Sequence, residues 1–422
     1  MRYNAAHCGD IDKVLCPPYD VISPREQERL HERSPHNMTR LVLGRQYPSD
    51  GPTDNRYTRA AATLQEWVRR GILFCDKVPS LYVNEHTFTL NGRAHRRRGL
   101  LCIVRLQEFG QQILPHEHTL SGPKADRFRL LESCQANLSP VLMLYRDADR
   151  QVAQSIDAAL EPRPLIEVEP QPGELNRLYA ITNPASIQAI ADGLRSKKFY
   201  IADGHHRYET ALAYARRRTA DDPSPDAPFQ FVLTLAIAIE DPGLVVLPYH
   251  RLLTEQLDQR IAALPEKLKG RAGFEVEHLT TTCEANAFTN SLAETPAEIV
   301  AFGLLSRRWA LLVRFLDRVR LGQSPRGGLD VTAVDELILK EMLGLDEKTL
   351  EDDRFVQYCH DEQEAVAAVR SGRCSLAILM RATPLEQLLT VAEASEKMPR
   401  KSTYFYPKPW CGLVLHHFAC AP

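Results

Sequence analysis

The residues best suited to chemistry in this chain lie in one short stretch, DGHHR at 203–207. It places a carboxylate, two imidazoles and a guanidinium around a glycine. An apolar run typical of a buried strand, 199–202, precedes it, and residues 208–215 follow with apolar side chains at helical spacing. The spacing predicts a turn between strand and helix, where glycine allows close approach to the backbone and the helix N-terminus attracts an anion. The stretch therefore predicts a phosphate or nucleotide site.

Each of these residues, taken alone, also has a structural explanation. Asp203 could cap the helix, Arg207 could pair with Glu209 or Asp203, and His205 and His206 could be buried core residues. Four functional side chains within five positions around a glycine favour the site.

A second polar group begins at PHEHT, 115–119. His116 and His118 share one face if this segment is extended, with Glu117 on the other face. The helix predicted to follow carries Lys124 and Arg127. Phosphoryl transfer needs a base for a hydroxyl proton and cations for developing charge, so Glu117 is our candidate general base and Lys124 and Arg127 are the cations. A Glu117–Arg127 salt bridge and a metal-binding His-x-His pair are the alternatives.

Two further pairs of residues are candidates for contacts to a substrate. Two prolines restrict Tyr19 and Asp20 to a rigid, extended approach, which could form a ligand wall or simply a strand exit capped by Asp20. His250 and Arg251 lie at the end of a predicted strand, where open α/β sheets place their sites.

A basic, hydroxyl-rich loop near the C-terminus contains Lys401 and Lys408 between aromatic residues. Such a loop could close over phosphates, which makes Lys401 a candidate phosphate contact. A surface hairpin is the simpler explanation of the same residues.

The elements that must position these residues alternate between strand and helix, which predicts an α/β fold. A hairpin is predicted over 80–106 around Asn91-Gly92, and an amphipathic helix over 57–72. Ser23 is predicted to cap a helix, and 34–44 to be a loop entering a strand. The predicted segments are 1–150, 151–253, 254–345 (a supporting subdomain that could form a homodimer) and 346–422.

Composition narrows the class of protein. With 422 residues, 44% hydrophobic and 25% charged, the chain is typical of an ordinary globular protein of two or three domains. A net charge of −2 gives no general attraction to nucleic acid or to a membrane surface, and the longest apolar run, 231–239, is too short to span a bilayer. Ten cysteines without a CxxC pair, and no signal peptide, predict free thiols in the cytoplasm.

Seven stretches resemble a large prokaryotic family of proteins of unknown function. They are CPPYDVI (16–22), PHEHT (115–119), PKADR (123–127), IADGHHRYETAL (201–212), PYHRL (248–252), LDVTAVDELIL (329–339) and MPRKSTYFYPK (398–408). DGHHRYE also resembles the phosphate-binding signature of the ParB/sulfiredoxin-like fold. Members of the family are similar to free-serine kinases of that fold, which phosphorylate L-serine to O-phosphoserine.

The resemblance implies a ParB/sulfiredoxin-like core at 151–253 with additional N- and C-terminal α/β segments. It implies a kinase that uses ATP or ADP with Mg²⁺ and takes a small hydroxylated metabolite, free L-serine, as its acceptor. His205, His206 and Arg207 would hold phosphate oxygens beside Gly204. His206 is also predicted to be a catalytic residue. Asp203 would orient the substrate hydroxyl or the metal ion, although no residue is assigned as a dedicated metal ligand. The roles of Glu117, Lys124 and Arg127 rest on chemistry alone.

Two other classes of function are open at this point. A ParB-like nucleotide-binding, DNA-associated protein would share the fold, but it needs a recognition helix and a basic face that the sequence does not show. A metal-dependent hydrolase would use His116, His118 and further histidines.

Overall fold

The computed structural model describes residues 1–119, 121–280 and 285–420. The strands are β1 Arg2–Tyr3, β2 Leu73–Phe74, β3 Leu81–Leu90, β4 Arg93–Arg105, β5 Ile113–Pro115, β6 Ala136–Asn137, β7 Val141–Tyr145, β8 Ile166–Gln171, β9 Glu174–Ile181, β10 Phe199–Asp203, β11 Phe231–Ala238, β12 Val245–Leu247, β13 His250–Leu253, β14 Phe274–Leu279, β15 Val300–Ser306, β16 Ala310–Phe315, β17 Val356–Cys359, β18 Leu376–Met380, β19 Tyr404–Tyr406 and β20 His416–His417.

The helices are interspersed with these strands throughout the chain. They are α1 Pro24–Arg33, α2 Thr39–Val42, α3 Arg56–Arg69, α4 Ser121–Cys134, α5 Gln151–Ala159, α6 Pro184–Arg195, α7 His205–Thr219, α8 Asp258–Ala262, α9 Leu264–Leu268, α10 Ala285–Glu294, α11 Asp330–Ala333, α12 Glu347–Leu350, α13 Glu362–Arg370 and α14 Leu385–Glu393. The predicted α/β fold class is confirmed.

The chain divides into two compact units, and each is described by itself. Unit 1 contains Met1–Pro115, Thr119–Leu244 and Pro407–Pro422, and unit 2 contains His116–His118 and Val245–Tyr406. The four segments expected from the sequence stay a prediction.

Unit 1 is built on a mixed sheet whose described strands run in the order β5-β10-β7-β11-β4-β3-β9-β8. Strand β10 pairs in parallel with β5 and antiparallel with β7, which in turn lies parallel to β11. Helix α7 packs its apolar face on this sheet, so that Tyr208, Ala211 and Ala215 join Met143 and Ile201 in one buried core. The core holds the end of β10 and the start of α7 in place.

Several local predictions for unit 1 are confirmed. Strands β3 and β4 form the hairpin, and Asn91 and Gly92 take the positive φ angles of 50° and 73° that the tight turn requires. Ser23 accepts a hydrogen bond from the Glu26 N–H at the start of α1. Helix α3 buries the apolar face that includes Leu64 and Trp67.

Two local expectations were wrong. The segment 34–44 contains the short helix α2 and no strand, because Asn37 accepts a hydrogen bond from the Thr39 N–H and donates one to the carbonyl of Lys13, which is 24 positions away in sequence. The expectation of free thiols fails for Cys75 and Cys420, which form a disulfide within unit 1. These cysteines are 345 residues apart in sequence, so spacing could not reveal the pair.

Unit 2 contains a second sheet whose described strands run in the order β14-β16-β15-β18-β13-β17, with every pair antiparallel. Strands β12 and β19 form a separate antiparallel pair. After α11 the chain continues as a π-helix over Val334–Met342. Nowhere in the described part of either unit does a helix combine the length and the apolar character needed to cross a membrane.

Candidate functional site

The DGHHR stretch forms the predicted turn between β10 and α7. Gly204 is the N-cap residue and has a left-handed backbone, with φ of 92°. A Cβ atom at this position would lie 2.9 Å from Arg207 Nε and 3.0 Å from Arg207 Cζ, because the arginine side chain folds against the glycine backbone. No side chain caps the helix. The first turn of α7 therefore presents its positive dipole end beside a guanidinium, which favours an anion.

Asp203 is bonded to two cations. Its Oδ2 accepts a hydrogen bond from Arg207 Nη2, and its Oδ1 accepts a hydrogen bond from Lys408 Nζ. The side chains of Asp203, Arg207 and Lys408 are only 11%, 10% and 7% exposed, so solvent screens these contacts little. Burial by itself would raise the pKa of Asp203, but Lys408 and Arg207 outweigh burial and hold it below its usual range. Asp203 is thus an ionised anchor that fixes the two cations.

The loop carrying Tyr19 and Asp20 belongs to the same part of unit 1. The Arg127 guanidinium lies 3.9 Å from the centre of the Tyr19 ring. Burial and the neighbouring Asp20 raise the pKa of Tyr19 to about 12. Burial would lower the pKa of Arg207, but Asp203 and then Asp20 raise it. We call this group of residues the turn cluster: Tyr19, Asp20, Arg127, Asp203, Arg207 and Lys408.

The two cations predicted on α4 have different surroundings. Arg127 is buried, donating through Nη1 to the Val42 carbonyl at 2.8 Å and through Nε to Asp126 at 2.7 Å. Lys124 is 40% exposed and donates to Glu209 of α7 at 3.1 Å. Arg127 is therefore fixed within the turn cluster, whereas Lys124 links two helices at the surface.

The two histidines of α7's first turn have unequal burial. His205 is buried and His206 is half-buried. The positive charge that His205 gains on protonation adds to the cations that lower the pKa of Asp203. Their proposed roles as phosphate ligands stay a prediction.

The PHEHT residues 116–118 lie in unit 2, whereas Arg127 lies in unit 1. His116 is buried, with Nε2 3.2 Å from Thr403 Oγ1. Glu117 is half-buried, and its Oε1 accepts the backbone N–H of Lys401 at 3.1 Å. Burial, together with Lys397 and other cations, lowers the pKa of the exposed His118. The two histidines thus differ in burial and in partners, and the metal-binding pair stays an alternative prediction.

Lys401 has an uncommon backbone for a lysine, with φ of 54°. Its Nζ lies 5.0 Å from the centre of the Tyr249 ring, which is a cation–π contact within unit 2. Among the described residues of both units, no group of three or more His, Cys, Asp or Glu side chains is placed to hold a metal ion.

His250 and Arg251 are built into the interior of unit 2. Arg251 is fully buried, donating to the Tyr249 carbonyl at 2.8 Å and lying 3.4 Å from Asp335 on the π-helix. His250 Nδ1 accepts the Met380 N–H, and burial with the neighbouring Arg251 lowers the pKa of His250 to about 4. Both side chains have a structural explanation, and their role in binding substrate stays a prediction.

Lys408 is the residue of the turn cluster that sequence reasoning did not assign to the site. The sequence signal for Lys408 was its position in the basic C-terminal loop. The boundary between the two units falls within this loop, so that Lys401 belongs to unit 2 and Lys408 to unit 1.

The chain is thus a mixed α/β protein with a cationic turn at the start of a helix. It belongs to the family described as "Protein of unknown function (DUF1015)", whose model matches residues 1–332, and this confirms the membership predicted from the seven motifs. A search of curated protein sequences finds no match.

The solved structures that this chain matches include a conserved hypothetical protein from Pyrococcus furiosus, with 12% identity, 76% of this chain and 97% of that chain covered, and a TM-score of 0.39. A free serine kinase in complex with AMP has 11% identity, coverage of 72% and 86%, and a TM-score of 0.36. SbnI with a C-terminal truncation, from Staphylococcus aureus, has 10% identity, coverage of 76% and 88%, and a TM-score of 0.36.

Proposed function

We propose that the turn cluster binds the phosphate groups of a nucleotide, and that the chain transfers a phosphoryl group from ATP or ADP to a small hydroxylated metabolite. The observation that carries the proposal is the convergence of residues distant in sequence on the N-terminus of α7. Tyr19, Arg127, Arg207 and Lys408 come from four separate stretches of the chain.

The charge balance of the turn cluster supports an anionic ligand. Arg127, Arg207 and Lys408 supply three positive charges, against the two carboxylates Asp20 and Asp203. A third carboxylate, Asp126, pairs with Arg127 and is balanced by its second partner, Arg56. The uncapped first turn of the 15-residue helix α7 adds partial positive charge at the same place. Gly204 lets the Arg207 guanidinium fold directly against the backbone of this turn, which keeps its charge beside the helix N-terminus.

In this proposal Asp203 holds Arg207 and Lys408 in position, and it is a poor base because these two cations stabilise its carboxylate and occupy both of its oxygens. His205, His206 and Arg207 bind phosphate oxygens. Glu117, which belongs to unit 2, stays the general base predicted from the sequence, a role worth about 10²–10⁴-fold in rate. Asp20 is a competing candidate for this role, because it is the exposed carboxylate of the turn cluster.

The donor set of the turn cluster fits a nucleotide-bound Mg²⁺, which needs only one or two protein carboxylates besides phosphate oxygens and water. Asp20 is exposed and could supply such an oxygen. When bound, the ion would offset the negative charge of the phosphates.

Free L-serine is the acceptor that we propose within this class. A cytoplasmic location and a homodimer stay predictions. Neither alternative function is favoured by a specific observation, since the net charge is −2 and the described residues offer no cluster of metal ligands.

The test is phosphorus NMR and mass spectrometry of the purified chain with Mg²⁺, ATP or ADP, and L-serine. We expect O-phosphoserine from the wild type and its loss in Arg207→Lys, which keeps the charge but loses the forked guanidinium. Glu117→Gln and Asp20→Asn are compared in parallel over a range of Mg²⁺ concentrations. Loss of the base lowers kcat at every concentration, whereas loss of a magnesium ligand is offset by more Mg²⁺. Glu66→Gln on the exposed face of α3 is the matched control.

Consumption of nucleotide with a different alcohol would change only the acceptor. Absence of any nucleotide binding would refute the proposal.

A further inference from the structure

A small cavity lies beside the turn cluster in unit 1, between α4, the first turns of α7 and the β6–β7 loop. Its volume is about 50 Å³. The polar side chains that line it are Arg127, Asn137, Ser139, Arg207 and Thr210, and leucines of α4 and of the β6–β7 loop contribute much of the apolar wall.

Two polar atoms of this wall have no hydrogen-bond partner within the part of the chain that the structure describes. Thr210 is 4% exposed, and its Oγ1 is buried and unpaired. The Nε of Arg207 is buried and unpaired as well, although Nη1 and Nη2 of that guanidinium are bonded to Pro140 and Asp203. Buried polar groups in native proteins are normally paired, so these two call for a ligand or a water molecule.

We propose that this cavity is the subsite for the nucleobase of the nucleotide bound at the turn cluster. The inference rests on the proposed function and specifies the donor as a nucleoside phosphate. Arg207 belongs both to the phosphate-binding turn and to the cavity wall. A ligand that contacts both the turn and the cavity must therefore carry an anionic group next to a second part whose size and polarity match the cavity.

The character of the wall indicates what that second part is. Apolar leucine surface with an amide and two hydroxyl groups suits a flat heterocycle with polar edges, as in most small-ligand pockets. Inorganic polyphosphate would leave the leucine side chains without an apolar contact, and serine has no apolar group large enough to pack against them. The volume has room for roughly three or four water molecules, which is sufficient for one edge of a base.

The experiment compares ADP with pyrophosphate, which has the phosphates but no nucleoside, by isothermal titration calorimetry on the full chain. We expect wild type to bind ADP at least about tenfold more tightly than pyrophosphate. Ser139→Leu, which adds a bulky side chain to the cavity wall, should weaken ADP binding at least about tenfold and leave pyrophosphate binding unchanged. Thr210→Val, which removes only the hydroxyl, should weaken ADP about two- to tenfold.

Two controls make the same chemical changes elsewhere: Ser155→Leu on the exposed face of α5 and Thr390→Val on α14. Unchanged pyrophosphate binding in Ser139→Leu also shows that the variant folds.

The outcomes separate this inference from the proposed function. If ADP and pyrophosphate bind equally, or if Ser139→Leu and Thr210→Val leave ADP affinity unchanged, the nucleobase subsite is refuted while the phosphate site stands. If neither ligand binds wild type, both the subsite and the proposed function are refuted. Arg207→Lys should weaken both ligands, because it alters the group that they share.

Discussion

Replacing Lys408 by methionine should destabilise unit 1 by about 3 kcal/mol at pH 7. Breaking a buried ion pair by removing one partner costs about 3–5 kcal/mol, because the remaining charge stays buried without compensation. Lys408 and Asp203 are 7% and 11% exposed, so they fall in this class. Asp203 retains Arg207 as a second partner, which puts the expected loss at the lower end of the range.

The loss should depend on pH in a defined direction. In wild type the pKa of Asp203 lies below its ordinary value of about 3.9, since Lys408 and Arg207 outweigh burial. The ionised carboxylate therefore stabilises the fold above about pH 4, and this contribution disappears as pH falls through the folded-state pKa. Without Lys408 the pKa rises, and the carboxyl group takes up its proton at a higher pH. The difference between the two proteins should be largest at neutral pH and shrink as the pH falls below about 4, because the carboxyl group of the variant takes up its proton before that of the wild type.

The assay is urea unfolding followed by tryptophan fluorescence in a Trp309→Phe background. Trp309 lies in unit 2, so this background leaves Trp67 and Trp410 as reporters of unit 1. Lys13→Met is the matched control, because its pair with Asp10 is about half exposed and should contribute no more than about 1 kcal/mol. A loss in Lys408→Met as small as in this control, or one that stays constant from pH 7 down to about pH 2, would contradict the reasoning.

Three further predictions concern other parts of the chain. Gly204→Ala should cost about 1–3 kcal/mol in urea unfolding and weaken phosphate binding, whereas Gly322→Ala, with a similar φ of 94° but open space around it, should show only the backbone strain. Burial and Arg251 lower the pKa of His250 to about 4, so acidification from pH 6.5 to 4 should reduce the stability of unit 2 by up to about 3 kcal/mol, and His250→Asn should flatten this profile. Cys75→Ser should lower the free energy of unfolding by about 2–5 kcal/mol and abolish the effect of a reductant on the melting temperature. If the reductant still changes the melting temperature of this variant, the effect does not come from the Cys75–Cys420 disulfide.

Local chemistry in the sequence was sufficient to predict the β3–β4 hairpin, the cap at Ser23 and the turn at Gly204. In each case the signal lies within a few neighbouring residues. The hairpin has a dipeptide that tolerates positive φ, the cap has a hydroxyl before a helical pattern of apolar residues, and the turn has a glycine between a strand pattern and a helix pattern. The 34–44 segment failed because Asn37 bonds to the backbone of residues far from it in sequence, and periodicity carries no trace of such a contact.

By itself, the sequence determined that a carboxylate, two imidazoles and a guanidinium lie at the start of a helix. The spacing of apolar residues before and after Gly204 is sufficient to place the end of a strand and the start of a helix there. It also determined the family, through motifs distributed along the chain. Tertiary structure alone decided which charges meet there. Lys408 reaches Asp203 across 205 positions of sequence, and Arg127 reaches Tyr19 across 108. Such partners are selected by burial, since a charge removed from water must find its counter-charge wherever the packed core brings one close.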